Sequence, residues 1–215
     1  MQAIENIIFD FGGVIYDIDY QRSIDEFTLL GANNFAEMYS QAIQNQLFER
    51  LETGAVSPSE FRNEIRHKLD PETTDEQINA AWNALLLDFQ LERIELLKNL
   101  KENYNLYLLS NSNIIHYEVF LKQFQQISGL ETFDDIFDKA HYSFNMGIRK
   151  PNEEAYQYVI DQHQLDASRS LFIDDSEQNI EPALNVGLKA YFLKPGEEMT
   201  DLFKHNLLRE DLLIQ

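Results

Sequence analysis

Ile4-Glu-Asn-Ile-Ile-Phe9, followed at once by Asp10-Phe-Gly-Gly13, is a short, mostly apolar run that stops at an acid and two glycines. Such a run, too short for a helix and bounded by turn residues, reads as a strand buried on both faces, the kind a parallel sheet uses. The same pattern returns twice. Asn105–Leu109 stops at Ser110-Asn-Ser-Asn113, and Ser170–Ile173 stops at Asp174-Asp-Ser-Glu177. Lys189–Leu193, ending at Lys194-Pro-Gly196, is a fourth candidate, and Ala140–Phe144 is a weaker fifth. Helical periodicity fills the intervals. Leu91–Asn103 carries Ile94, Leu97 and Leu100, and Glu153–Gln162 carries Tyr156, Val159 and Ile160. Asn179–Val186 ends at Gly187, a natural residue just past a helix. Strands alternating with helices predict an α/β domain built on a parallel sheet.

The stretch from Tyr16 to Phe89 breaks the alternation and reads as all-helical. Ser57-Pro-Ser-Glu60 has a capping serine, a proline at the first helical position and a glutamate that closes a capping box. Gly54 ends the helix before it. Thr74 with Gln77 opens the next, expected to run through Trp82 to Leu87. The chain is therefore expected to leave the sheet after its first strand, build a helical insertion, and return.

Composition narrows the chemistry. The 215 residues have no cysteine, so disulfides, thiolate nucleophiles and cysteine-ligated metals are excluded. With 37 acidic against 17 Lys and Arg residues the net charge is −20, which argues against nucleic acid or an anionic membrane as partner. No apolar run approaches the ~20 residues that span a bilayer, and the N-terminus lacks a signal-peptide pattern. The expected setting is cytoplasmic, as a monomer or homodimer.

In an open parallel sheet, ligands bind beyond the carboxyl ends of the strands. Those ends supply Asp10, Ser110, Asn111, Asp174 and Asp175, and Lys150 joins them from the loop Gly147-Ile-Arg-Lys-Pro151. Pro151 favours an extended Lys150. Carboxylates of this kind can bind Mg²⁺, or one can attack phosphorus, while an ammonium offsets charge on a transferring phosphoryl group. Taken singly, Asp10 could be a turn residue, Asp174-Asp175 a helix-start feature, and Lys150 a surface lysine. Their joint placement at strand ends favours a site. The five histidines show no metal-ligand spacing, and Trp82 reads as core of the insertion.

Four motifs in this order, Ile8-Phe-Asp-Phe-Gly-Gly-Val-Ile15, Leu109-Ser-Asn111, Lys150-Pro151 and Phe172-Ile-Asp-Asp175, resemble those of the haloacid dehalogenase superfamily. Asp17-Ile-Asp-Tyr20 and Met146-Gly-Ile-Arg-Lys-Pro151 look most like its sugar-phosphate phosphatases of the α-D-glucose-1-phosphate phosphatase type. The resemblance implies a Rossmann-like α/β core, residues 1–15 and 90–215, with a helical cap domain, residues 16–89, inserted after the first strand. It implies a Mg²⁺-dependent phosphatase acting on a small phosphorylated metabolite. Asp10 would be the nucleophile and a metal ligand, the Gly12 carbonyl and Asp175 further ligands, and Asp174 the residue that orients Lys150 or a metal-bound water. Ser110, the Asn111 backbone N–H and Lys150 would hold the phosphoryl group, with Tyr16, Tyr20 and Asp17 facing substrate from the hinge.

One departure stands out. Phosphatases of this superfamily usually carry a second aspartate where this chain has Gly12, and that residue protonates the leaving oxygen. Its absence, with general acid catalysis worth roughly 10²–10⁴-fold, points to a good leaving group such as a sugar 1-phosphate, or to another donor, Asp17 or Asp19 by position. The alternatives are a 2-haloacid dehalogenase-type hydrolase, which needs no metal, and a catalytically weak regulatory protein on the same fold. A phosphorylated receiver domain fits less well, because its acidic pair precedes the phosphorylated aspartate and here the pair comes last.

Overall fold

The computed structural model describes residues 3–32, 35, 46–209 and 212. Its centre is a five-stranded parallel sheet of β1 (Asn6–Phe9), β4 (Asn105–Ser110), β5 (Lys139–Tyr142), β6 (Ser170–Asp174) and β7 (Lys189–Phe192), in the spatial order β5-β4-β1-β6-β7. The opening apolar run is the middle strand, and all four of its residues are buried. Alternate side chains serve opposite faces. Ile7, Phe9, Leu106, Leu108, Leu171 and Ile173 pack with Ile94 and Leu97 of helix α5 (Leu91–Leu100) and Phe120 and Phe124 of α6 (Ile114–Ser128). Ile8, Tyr107, Leu109 and Phe172 pack on the other side with Tyr156 and Val159 of α8 (Glu153–His163) and Ala183 of α9 (Ile180–Asn185). Helices on both faces explain why these strands read as apolar runs rather than as alternating ones.

Between β1 and β4 the chain builds helices α1 (Tyr20–Leu29), α2 (Gln46–Glu52), α3 (Pro58–Arg66) and α4 (Asp75–Asn83). Both expected capping boxes form, Ser57 with Glu60 and Thr74 with Gln77. These helices share an aromatic core of Phe27, Phe48, Phe61 and Trp82, joined by Phe35 from the chain between α1 and α2 and by Ile115 of α6.

The expectation of an all-helical insertion does not hold, because both of its ends are strands. Helix α4 stops at Asn83 instead of continuing to Leu87, and Leu86–Phe89 becomes strand β3. β3 pairs antiparallel with β2 (Tyr16–Ile18), Tyr16 opposite Phe89 and Ile18 opposite Leu86. The outgoing and returning chains are thereby zipped together. The zip continues where the Asp19 N–H donates to the Leu85 carbonyl at 2.9 Å and the Ser23 hydroxyl donates to the Trp82 carbonyl at 3.0 Å. Strand pairing with a partner remote in the sequence here overrides local helical periodicity.

Two other boundaries shift. The candidate strand Ala140–Phe144 ends at Tyr142, and Ser143–Met146 forms a single helical turn, α7, closed by Gly147 at φ 74°. The 15-residue helix α6 is an element that the sequence reading does not name, although Asn113 caps its start and Gly129, at φ 72°, its end.

Candidate active site

β1 and β6 run in register, Phe9 opposite Ile173, so Asp10 emerges from the sheet beside Asp174. The Asp10 N–H donates to the Ile173 carbonyl at 2.8 Å, which fixes the backbone at the strand's end. Lys150, 1% exposed, reaches between the two acids. Its Nζ donates to Asp10 Oδ1 and, at 2.7 Å, to Asp174 Oδ2. The ammonium also lies 5.1 Å from the centre of the Phe172 ring. Asp174 is held on its remaining sides by the Ser176 N–H at 2.7 Å and by Asn179 Nδ2 at 2.9 Å. Asp175 completes the cluster: one carboxylate oxygen from each of Asp10, Asp174 and Asp175 lies within 4.8 Å of the others.

Gly13 is what lets Asp175 come so close. It sits at φ 80°, and a Cβ there would lie 2.1 Å from Asp175 Oδ2. Gly12 is under no such demand, since a Cβ at Gly12 would meet only the tip of the Ile18 side chain.

Three carboxylates facing one ammonium leave the cluster at −2 when all are ionised. The charge imbalance appears in the titration of its members. Burial, and next the neighbouring Asp174 and Asp175 charges, push Asp10 up to about 8 against the pull of Lys150. Burial and Asp174 push Asp175 up to about 6. Burial draws the Lys150 ammonium down, but Asp10 and Asp174 outweigh it and hold the group above its ordinary value. A hard divalent cation bound through oxygens would remove this imbalance, so the donor set fits Mg²⁺.

A cavity of about 500 Å³ opens from the cluster toward the insertion. Asp10, Gly12, Asn111, Lys150, Asp174 and Asp175 line it, as do Tyr16 and Tyr20. Ser110, the last residue of β4, is buried at 2% exposure and does not line this cavity, whose wall resumes at Asn111 and Ser112. Asn111 has a task beyond its backbone N–H. Its Nδ2 donates to the Lys150 carbonyl at 2.8 Å, and the Lys150 N–H donates to its Oδ1 at 2.9 Å. The lysine is thus held by its main chain, just before a cis Lys150-Pro151 bond, as well as by its ammonium.

The hinge acids are turned to other work. Asp17 accepts from Gln90 Nε2 at 2.6 Å and from Arg93 Nη1 at 2.6 Å, and Arg93 Nη2 reaches Glu198 at 2.7 Å. Asp19 caps helix α1 by accepting from the Gln21 N–H. Neither lines the cavity, so neither stands where it could replace the missing second aspartate. Tyr16 is fully buried, stacks on Phe11 and donates its hydroxyl to Gln123 Oε1, which makes it a floor of the cavity fixed by packing. Tyr20 is 41% exposed and lines the opening; burial of its hydroxyl and the surrounding acids push its pKa up, so it stays a phenol.

Two cavity residues escape a reading of the sequence. Glu52, at the end of α2, pairs with Arg149, whose Nε lies 3.1 Å from Glu52 Oε2. No spacing rule connects positions so far apart. His116 also lines the cavity; its Nδ1–H donates to Asn83 Oδ1 at 2.8 Å, its ring stacks on Trp82, and burial pushes its pKa down to about 3.

Comparison with known proteins agrees with this geometry. The chain is 30% identical over 195 residues to a D-ribitol-5-phosphate phosphatase of Bacteroides thetaiotaomicron, covering 91% of this chain and 94% of that protein. It superposes with a TM-score of 0.84, at 35% identity, on the crystal structure of a HAD family enzyme from the same organism in complex with magnesium and inorganic phosphate. That match covers 94% of this chain and all of the other. A predicted HAD-like hydrolase from Porphyromonas gingivalis superposes equally well, with a TM-score of 0.84 at 32% identity over 93% of this chain and 96% of its own. The family model for haloacid dehalogenase-like hydrolases matches residues 4–187, and the chain belongs to that family.

Proposed function

We propose that the protein is a Mg²⁺-dependent phosphatase that hydrolyses the phosphate monoester of a small sugar or sugar alcohol through Asp10. The observation that carries this is the Lys150 ammonium lodged between Asp10 and Asp174, with Asp175 completing a cluster that calls for a divalent cation. A metal-independent dehalogenase has no use for that charge excess.

In this account Asp10, the Gly12 carbonyl and Asp175 hold the metal. Once bound, the ion neutralises charge on the phosphoryl oxygens and on the cluster. The second Asp10 oxygen attacks phosphorus, the bond from phosphorus to the ester oxygen breaks, and the departing sugar oxygen takes its proton from solvent water, which the proton released by the water of the second step restores. Water then attacks phosphorus, releasing inorganic phosphate and returning Asp10 to a carboxylate. Lys150 pairs with the transferring group, and Asp174 keeps the ammonium aimed at it. The Asn111 and Ser112 segment forms the phosphoryl side of the site, and Ser110, buried behind it at the end of β4, would reach a phosphoryl oxygen only if its hydroxyl turned into the cavity. Residues 16–89 act as a cap over the core of residues 1–15 and 90–215.

Gly12, which offers no acid to the leaving oxygen, favours a sugar 1-phosphate, and the detailed resemblance in the sequence is to glucose-1-phosphate phosphatases. The relative named for D-ribitol 5-phosphate, the ester of a primary alcohol, supports a wider substrate class that includes terminal phosphates. A screen of phosphorylated metabolites, with Mg²⁺ and with chelator, tests the proposal. Release of inorganic phosphate from sugar or sugar-alcohol phosphates only with Mg²⁺ supports it; full activity in chelator, or none on any ester, refutes it.

A further inference from the structure

Beyond the carboxylate cluster the cavity wall carries one more ion pair, Glu52 with Arg149, and the two come from opposite sides. Glu52 ends a helix of the insertion, whereas Arg149 directly precedes Lys150 in the core. Their side chains are 17% and 10% exposed. The pair sits on a tight joint: Gly54, at φ 69°, lies so near the core that a Cβ there would be 2.5 Å from the Phe144 carbonyl oxygen. Glu52 is therefore presented at a defined height over the site.

A pair this deep adds little to stability. Burial pushes the Glu52 carboxyl up while Arg149 pulls it down, and an apolar pair of similar size would serve folding as well or better. Its place on the cavity wall gives it a different use. A carboxylate oxygen engaged by a guanidinium still has lone pairs, and its fellow oxygen has two more, so Glu52 can accept from hydroxyl groups. Among the described residues lining the cavity outside the carboxylate cluster, one further charged side chain is Glu177, also an acid, while Phe48, Trp82, the Tyr20 phenol and His116, which stays neutral, carry no charge. Among the described residues, the two cations lining the cavity, Arg149 and Lys150, both already face carboxylates.

We propose that Glu52, oriented by Arg149, reads hydroxyl groups on the non-phosphorylated part of the substrate, and that this part is an uncharged polyol. The inference rests on the phosphatase reading above and adds to it the residue that sets specificity. A second anionic group on the substrate would meet Glu52 with no cation left to balance it, so bisphosphates and phosphorylated acids are disfavoured.

The test compares a pentitol 5-phosphate with n-pentyl phosphate, which share a primary leaving oxygen and differ in hydroxyls. With Mg²⁺, the wild type is expected to prefer the pentitol ester in kcat/KM. Glu52→Gln is expected to cut that preference by about tenfold or more, chiefly through KM, the size of losing a hydrogen bond to a charged acceptor. A wild type without the preference overturns the inference. So does a preference that Glu52→Gln leaves unchanged, including equal losses on both esters, as a scaffold or proton-donor role would give. The double variant Glu52→Gln/Arg149→Gln, which leaves no lone buried charge, carries the same comparison if the single variant does not fold. Absence of wild-type turnover on every phosphate ester is a different result, and it overturns the phosphatase reading itself.

Discussion

Asn111 and Lys150 exchange two hydrogen bonds, side-chain amide to main-chain peptide, at 2.8 and 2.9 Å. The amide of Asn111 thus copies the pairing of a β-ladder and holds the loop that carries the lysine against the end of β4. Asn111→Ala leaves the N–H and carbonyl of Lys150 without these partners. We expect a loss of about 1–3 kcal/mol in urea unfolding and a fall in kcat of about tenfold or more from a misplaced ammonium. Unchanged kcat would show that Lys150 is positioned by its carboxylate partners alone.

Gly13 and Asp175 are in such close approach that any side chain at position 13 must displace the carboxylate. Gly13→Ala is expected to weaken Mg²⁺ binding at least tenfold, as removal of a metal ligand's correct placement does. Calorimetric titration of Mg²⁺ checks this. Gly12→Ala, which meets only the end of Ile18, serves as the milder control.

Mg²⁺ binding is expected to be proton-linked. Metal-free Asp10 is pushed up to about 8 and Asp175 to about 6, so at pH 7 the cation must displace a proton. Affinity should rise by about tenfold between pH 7 and pH 9 and fall further below pH 6, where a second proton competes. The titration repeated in buffers of different ionisation enthalpy measures the proton released. An affinity independent of pH would contradict the charge account of the cluster.

His116 sets part of the acid stability. Its folded pKa is pushed down to about 3 by burial, from an ordinary 6.5, so below pH 6.5 the unfolded chain binds a proton that the folded chain refuses. The contribution is present above pH 6.5 and is lost as the pH falls toward 3. Relative to His116→Gln, the wild type should lose about 2 kcal/mol of stability between pH 7 and pH 5. Urea unfolding of both proteins at the two pH values gives the difference, in which other titrating groups cancel. A constant difference would mean that the folded chain takes up the His116 proton as readily as the unfolded chain does, against the shift that burial imposes.

What was legible in the sequence follows from where the information lies. Asp10, Asn111 and Asp174-Asp175 could be found because each ends an apolar run, and a parallel sheet brings all such ends to one edge. The cap helices were legible at Ser57 and Thr74, where capping is local chemistry. Leu86–Phe89 was not, because it continues the apolar spacing of the helix before it and becomes a strand only by pairing with Tyr16–Ile18. The same limit hid the engagement of Asp17 by Arg93 and of Glu52 by Arg149. These are contacts between charged residues far apart in the chain, and only the folded sheet and its docked insertion bring them together.

The central claim is that Asp10 is the nucleophile, and release of inorganic phosphate by Asp10→Asn with saturating Mg²⁺ tests it most directly. The variant keeps the size of the side chain and its place beside Lys150, and removes the attacking oxygen's charge. With folding verified by circular dichroism, turnover is expected to fall by about a thousandfold or more, as loss of a covalent nucleophile does. A folded Asp10→Asn variant that retains a tenth of wild-type turnover would contradict the account.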